Sequence, residues 1–385
     1  MTGTDLVTHT GAIRALAERW VPRLGDDDFV VSPAGLWLAL GAVASGARGR
    51  TGEELGALLG VDGEAAAEAV TLAGRRLAAM DGVAVATGMW STMPVLDAFR
   101  RGLPEVHFGV LPGAAYFALP DEVFGATDDM SFGELAEDAQ PELDAWVREA
   151  TGGRIQRLPL ALDGSEDLVL LNALALSASW LTAFPGHLTH DAPFTDGYGD
   201  SRPVPTMRQR IPAAWVWYVD GVTVVELPCA GGEAARVRFV LGPEGAGPVE
   251  VLPAAWAGPR ERRPLTADSA DLALPRFTLR TKTDAKEHLA ALGITRAQRP
   301  GADFSGLSAA DLYIAEVVQE ALVEIAEKGV EAAAVTQVTM TRSAAPPRHE
   351  VVERIAFDRP FGVVVLDGEG EVPLFVGWRN RAGKG

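Results

Sequence analysis

Glu327-Lys328-Gly329-Val330-Glu331-Ala332-Ala333-Ala334-Val335-Thr336-Gln337-Val338-Thr339-Met340 is the least ordinary segment of this 385-residue chain. It comes after a strand-like run at 322–326. Read with period two, it puts Val330, Ala332, Ala334, Thr336, Val338 and Met340 on one face and Glu331, Ala333, Val335, Gln337 and Thr339 on the other. One face is small and apolar and the other polar or small, as a strand with one buried side requires. Three consecutive alanines also favour helix, so alternation alone leaves an Ala-rich helical linker equally open. The segment runs into Thr341-Arg342-Ser343-Ala344-Ala345-Pro346-Pro347-Arg348-His349, a polar, Pro-rich stretch typical of an exposed loop. Strand-competent residues attached to such a loop suggest a segment able to add to a sheet edge or enter a sheet.

Outward from this segment the chain reads as mixed α and β. Val30-Val31-Ser32-Pro33 is a short strand running into a helix start, with Ser32 able to cap free amides and Pro33 preset for the first turn. The helix at 34–47 is apolar on nearly all sides and therefore buried. Thr51 with Glu54 has the spacing of a capping box for a helix over 52–59. Residues 64–80 are helical, but prolines at 94, 104, 112 and 120 obscure the pattern from 81 to 140. A helix at 142–150 stops at Gly152-Gly153. Residues 168–181 are the most apolar stretch, too short to span a bilayer and broken by Asn172, Ser177 and Ser179, and read as a buried central strand. Further strands at 215–218, 223–227 and 236–241, a helix at 284–292 and a closing hairpin over 362–377 complete the pattern.

Composition bounds the function. Thirty-four Lys and Arg against 52 Asp and Glu give a net charge of −18, which disfavours nucleic acid and anionic membrane as partners. With 48% apolar residues the chain can bury a large core. The lone Cys229 forms no intramolecular disulfide and no Cys-based metal site, and a buried inert thiol is favoured over a nucleophile. His187 and His190 come directly after Pro185-Gly186, which argues against a helical metal pair. No cofactor is expected. Length alone suggests two or three domains, yet no repeat, long linker or low-complexity tract divides the chain, so 1–385 reads as a single domain. The first 25 residues lack the basic start and continuous apolar run of a secretory leader, which points to the cytoplasm.

Glu327-Lys328-Gly329-Val330-Glu331-Ala332-Ala333-Ala334 resembles the hinge of the serpins, the serine protease inhibitor family, and other segments resemble serpin in the same order. Phe29-Val30-Val31-Ser32-Pro33 and Gly46-Ala47-Arg48-Gly49-Arg50-Thr51 are similar to the ends of the family's helix B. Trp146-Val147 with Thr151-Gly152-Gly153-Arg154-Ile155 is similar to its helix F exit. Leu171-Asn172-Ala173 with Trp180 resembles the third strand of its main sheet, and Leu274-Pro275-Arg276-Phe277 and Ala302-Asp303-Phe304-Ser305-Gly306 its pre-hinge region. Phe357-Asp358-Arg359-Pro360-Phe361 and Leu374-Phe375-Val376-Gly377 resemble its C-terminal strands. The likeness is strong over 166–182 and 271–377 and weak over 61–140, as in a divergent bacterial-type member.

The resemblance implies an α+β single-domain serpin fold: a large central mixed β-sheet, smaller sheets, about eight to nine helices and an exposed reactive-centre loop at about 339–350. It implies a suicide substrate rather than an enzyme. A target protease cleaves the loop, and the freed hinge at 327–338 inserts into the central sheet and traps the acyl-enzyme. The native form would be metastable, its stored energy lying in an unpaired strand. Gly329 would be the pivot after Glu327, and Val330, Ala332, Ala333 and Ala334 would have to enter the sheet; Val330 stands where family hinges usually carry Thr or Ser.

The family's spacing puts the scissile bond at Ser343-Ala344, implying an elastase-like or subtilisin-like target. A shift by one gives Arg342-Ser343 and a trypsin-like one, with Arg348 a third candidate. Ser32, Asn172 and Gln319 match the buried shutter beneath the sheet opening, and Trp180 the point where insertion begins; for Ser32 a plain helix cap, and for Trp180 plain core packing, are equally good readings. Gln319 stands where the family often has a titratable His. The resemblance further implies a monomer with possible loop–sheet polymerisation and admits an extracellular location. The alternative is a non-inhibitory serpin-fold binding or scaffold protein whose loop does not insert.

Overall fold

The computed structural model describes residues 9–111, 140–157, 166–329 and 350–382. Among them lie eight α-helices and three sheets. The five-stranded sheet runs Phe277–Asp284, Ile314–Ile325, Leu168–Leu176, Val83–Ser91, His107–Val110. Its strand Leu168–Leu176 is buried at every position, without alternation, because both of its faces are covered. Leu170 and Leu174 face the main core beneath, where helix Pro33–Gly46 lies; Val169, Leu171 and Ala173 pack above with Leu143 and Val147 of helix Gln140–Ala150. Helix Pro33–Gly46 is itself buried along its whole length, as its apolar circumference requires.

A seven-stranded antiparallel sheet contains the closing hairpin, Phe361–Leu366 with Pro373–Arg379, between Phe29–Val31 and Arg236–Leu241. A four-stranded sheet runs Val352–Ala356, Ser269–Pro275, Ser201–Pro212, His190–Thr195. One apolar cluster, from Ile13 to Trp378, joins elements of all three sheets. No helix among the described residues is long and apolar enough to cross a membrane.

Three sequence expectations change. The capping box at Thr51 and Glu54 does not form, because Gly49, at φ +50°, starts the helix Gly49–Leu59 three residues earlier than expected. Thr51 Oγ1 instead accepts from the Asp303 amide (2.9 Å), and the Glu54 carboxylate accepts from the amides of Thr295 (2.9 Å) and Arg296 (2.8 Å). Both residues therefore pin a distant segment. The obscure region contains a full central-sheet strand, Val83–Ser91, the short helix Asp97–Gly102 and the strand His107–Val110. The strand leading to the hinge spans twelve residues, Ile314–Ile325, rather than the short run at 322–326.

Candidate functional site

The two middle strands of the five-stranded sheet, Leu168–Leu176 and Ile314–Ile325, run parallel and are directly hydrogen-bonded, whereas each pairs antiparallel with its outer neighbour. Parallel ladders are slightly weaker per residue than antiparallel ones. Of the two parallel pairings in this sheet among the described residues, the other being Val83–Ser91 with His107–Val110 at the edge, this is the inner one, where one strand antiparallel to both neighbours would fit. The chain leaving Ile325 turns at once: Gly329 bridges back to Ala326, its amide donating to the Ala326 carbonyl (3.2 Å). A chain that continued this reversal would run antiparallel to both sides of the seam.

The turn is docked at the top of the seam. Gly329 adopts φ +111°, and a Cβ there would lie 2.1 Å from the Ala178 carbonyl oxygen, so both conformation and space demand glycine. The Trp180 and Phe184 amides donate to the carbonyls of Lys328 (3.2 Å) and Glu327 (2.8 Å), and the Glu327 carboxylate stands 3.7 Å from Arg276. Trp180 is buried, its indole N–H donating to the Ala326 carbonyl (2.8 Å) and its ring edge-on to Phe239. Core packing and a clasp on the turn therefore coexist. Trp180→Phe keeps most of the packing but leaves the Ala326 carbonyl with the Gly329 amide (3.2 Å) in place of two donors. We expect a loss of about 1 kcal/mol in urea denaturation, with faster amide exchange at Phe184 and Trp180 than in the middle of the sheet.

Midway down, one level of the sheet is polar. Thr283, Gln319, Asn172 and Thr87 are in register across four neighbouring strands. Gln319 Nε2 donates to Asn172 Oδ1 (3.3 Å) and to the Ser32 carbonyl (2.9 Å), while its Oε1 accepts from the Ser32 amide (2.6 Å). Asn172 Nδ2 donates to Thr87 Oγ1 (3.0 Å) and the Ala86 carbonyl (3.3 Å). Ser32 Oγ accepts from the Gly35 amide (3.0 Å), capping the helix, and donates to the Leu374 carbonyl (2.5 Å) in the next sheet. Ser32 thus serves both as cap and as a member of the cluster. Gln319, Asn172 and Ser32 are at most 2% exposed and their side-chain polar groups are partnered, the condition under which a buried polar network specifies one arrangement. The approach is close: a Cβ on Gly35 would fall 1.9 Å from Asn172 Oδ1. Thr87 and Thr283 are the members of this level that sequence reasoning missed; Thr87 sits in the strand hidden within the Pro-interrupted region.

Val330, Ala332, Ala333 and Ala334 of the hinge, and the scissile candidates Arg342, Ser343 and Ala344, lie outside the described residues. The chain resumes at Glu350, whose carboxylate accepts from Ser269 Oγ (2.7 Å), and continues into the edge strand Val352–Ala356. Cys229, bridged to Trp180 near the turn, is 6% exposed, and burial pushes its thiol up to about 12. A thiolate-specific reagent should leave it unmodified in the native protein at pH 8 and modify it stoichiometrically in urea.

Comparison with known proteins agrees with this geometry. The Serpin (serine protease inhibitor) family model matches residues 13–380. A putative serpin-Z12 from Oryza sativa subsp. japonica is 32% identical over 376 residues, covering 91% of this chain and 84% of that protein. The leukocyte elastase inhibitor of Bos taurus is 31% identical over 289 residues, covering 68% of this chain and 74% of its own. Among solved structures, the thermophilic serpin tengpin in its native state superposes with a TM-score of 0.78 at 21% identity, over 98% of this chain and 94% of that one. Human thyroxine-binding globulin, solved with its hormone, superposes with 0.75 at 22% identity, over 98% of both chains. A family match along nearly the whole length, on a fold whose central seam and docked turn are in place, makes this chain a member of the serpin family, a protease inhibitor and not a catalyst.

Proposed function

We propose that this serpin traps its target protease by inserting residues 330–341 into the seam between Leu168–Leu176 and Ile314–Ile325 after the loop is cut. The observation that carries this reading is the parallel, directly paired seam with a reversing turn at its top. Insertion would exchange one parallel ladder for two antiparallel ones, a gain in both number and quality of backbone hydrogen bonds. A hairpin continued from the Ala326–Gly329 bridge sets Val330 opposite Ile325, Ala332 opposite Val323, Ala334 opposite Ala321 and Thr336 opposite Gln319. Ile325, Val323 and Ala321 are fully buried on the core side, so the small apolar face of the hinge enters the core and Thr336 enters the polar level. The twelve residues 330–341 would span roughly 40 Å at about 3.3 Å each, enough to displace a protease attached at the cut.

The acyl-enzyme is supplied by the protease's own nucleophile. For the bond we favour Ser343-Ala344, since the Bos taurus relative is named for an elastase; Arg342-Ser343 would mark a trypsin-like target. The protein acts as a monomer, and the same seam would admit the hinge of a second copy, which is the route to loop–sheet polymers.

Incubation with trypsin, an elastase and subtilisin, then boiling in detergent, tests the reading. A covalent complex is expected with at least one, mass spectrometry placing the cut at 342–344 and the cleaved form melting at a higher temperature. Cleavage with no complex and no rise in melting temperature overturns insertion and leaves a non-inhibitory binding protein.

A further inference from the structure

Outside the seam, the four-stranded sheet carries a groove of about 620 Å³ on its outer face, floored by Arg208, Arg210, Asp271, Ala273 and Arg354 and walled by Leu188. Register accounts for the grouping. Arg210, Asp271 and Arg354 form one rung across three strands, and Arg208, Ala273 and Ala356 form a rung two residues along, so all six side chains share a face. Arg210 is committed to Asp271 (3.0 Å) and Glu350 (3.3 Å). Asp358, at the groove's end, is committed to Arg359 (3.0 Å). No carboxylate among the described residues lies within ion-pair reach of Arg208 or Arg354. The groove therefore holds two uncommitted guanidinium groups in a protein whose net charge is −18. Their position is particular: Arg354 stands on the edge strand Val352–Ala356, the first strand after the loop, and Arg210 also holds Glu350 where the chain re-emerges from it.

We propose that this groove is a second contact site for the target protease, receiving an acidic surface segment of the enzyme while its active site holds the loop. The occupant is set by charge and continuity. Two free guanidiniums call for carboxylates, which they can take in bidentate fashion, and the groove is joined by a few residues of backbone to Glu350, so a protease on the loop must overhang it. The apolar walls at Leu188 and Ala192 supply the uncharged part of the contact. Rim charges of this kind act mainly on association rate and are screened by salt. The site therefore selects among proteases that cut the same bond according to their surface charge. This rests on the inhibitor reading above.

The test uses the full chain carrying Ser343→Arg, which puts an arginine at the favoured bond as well as at Arg342, with an anionic and a cationic isoform of trypsin. We expect the anionic isoform to associate at least tenfold faster. Arg208→Glu with Arg354→Glu should abolish or reverse that preference, and raising salt from low to molar concentration should erase it. Neither residue has an ion-pair partner among the described residues to lose, so the melting temperature and the fraction of encounters ending in covalent complex should not move. Equal rates for both isoforms, unchanged by the double substitution, overturn the groove and leave the inhibitor reading standing. Binding of trypsins whose catalytic serine is replaced by alanine, which requires no trapping, reads the groove separately. Charge-dependent binding there supports it even if no covalent complex forms, and charge-independent binding overturns it.

Discussion

Val330→Arg should yield a protein that is cut by its target but cannot hold it. In the register proposed above, residue 330 is the first to enter the sheet, opposite Ile325, which is fully buried on the core side. A guanidinium delivered there has no carboxylate waiting for it and would carry a desolvation cost of several kcal/mol into the insertion step. Trapping is a race between insertion and hydrolysis of the acyl-enzyme. If about 3 kcal/mol of that cost appears in the insertion barrier, the race shifts by roughly 100-fold. Gel analysis should show the boiling-resistant complex replaced by cleaved loop and free, active protease, with the initial rate of cleavage unchanged. Val330→Thr, uncharged and strand-favouring, should trap normally. An arginine variant that still traps stoichiometrically means residue 330 never enters the sheet.

Gln319→Leu should have a large effect on the untriggered form. It removes the bonds to the Ser32 amide, the Ser32 carbonyl and Asn172 Oδ1; the carbonyl keeps the Leu36 amide (3.0 Å), while the other two groups stay buried without a partner. At about 1–3 kcal/mol for each of the two orphaned groups, partly offset by the added apolar contact, the loss comes to roughly 2–4 kcal/mol. For a chain of this length that lowers the melting midpoint by roughly 3–5 °C. The register across the seam runs through this residue, so hydrogen exchange should quicken in both middle strands and not in the closing hairpin. Gln319→Glu with Asn172 retained should be worse, since it buries a carboxylate against two acceptors, the Ser32 carbonyl and Asn172 Oδ1, with only the Ser32 amide to donate to it. A Gln319→Leu protein with native melting and native exchange would show that the polar level does not hold the seam.

Much of the fold was legible because its decisive elements carry unambiguous local chemistry. The uniformly apolar helix after Ser32 and the unbroken apolar run around Asn172 announced buried elements, and both are buried. The hairpin over 362–377 was marked by its turn residues. What escaped notice were features that exist only in three dimensions. Thr51 and Glu54 have the spacing of a cap, yet their partners lie some 240 residues away, a distance no local pattern can signal. Val83–Ser91 was lost because Thr87 and Gly88 dilute its apolar signal, and these are the positions that meet Asn172 and Leu171 on the neighbouring strand. Gln319, Asn172 and Ser32 could be matched to a cluster by resemblance, but the sequence could not say that both backbone groups of Ser32 would be gripped by one amide side chain. The parallel sense of the seam was likewise invisible, being a property of how two strands far apart in the chain were brought together.

That parallel sense changes what stability means for this molecule. Under the insertion proposed above, a sheet holding a line of weaker ladder, beside a turn that reverses the chain at its top, would have a lower free-energy arrangement within its own covalent structure. What preserved the active protein would then be the height of the barrier to reaching that arrangement, and the polar level at Gln319, bonded across the seam to Asn172, would set a share of it. The quantity to measure is accordingly a half-life on the shelf at a given temperature. Sequence changes at this level will act as settings of a clock, lengthening or shortening the period over which each copy remains able to disarm one protease.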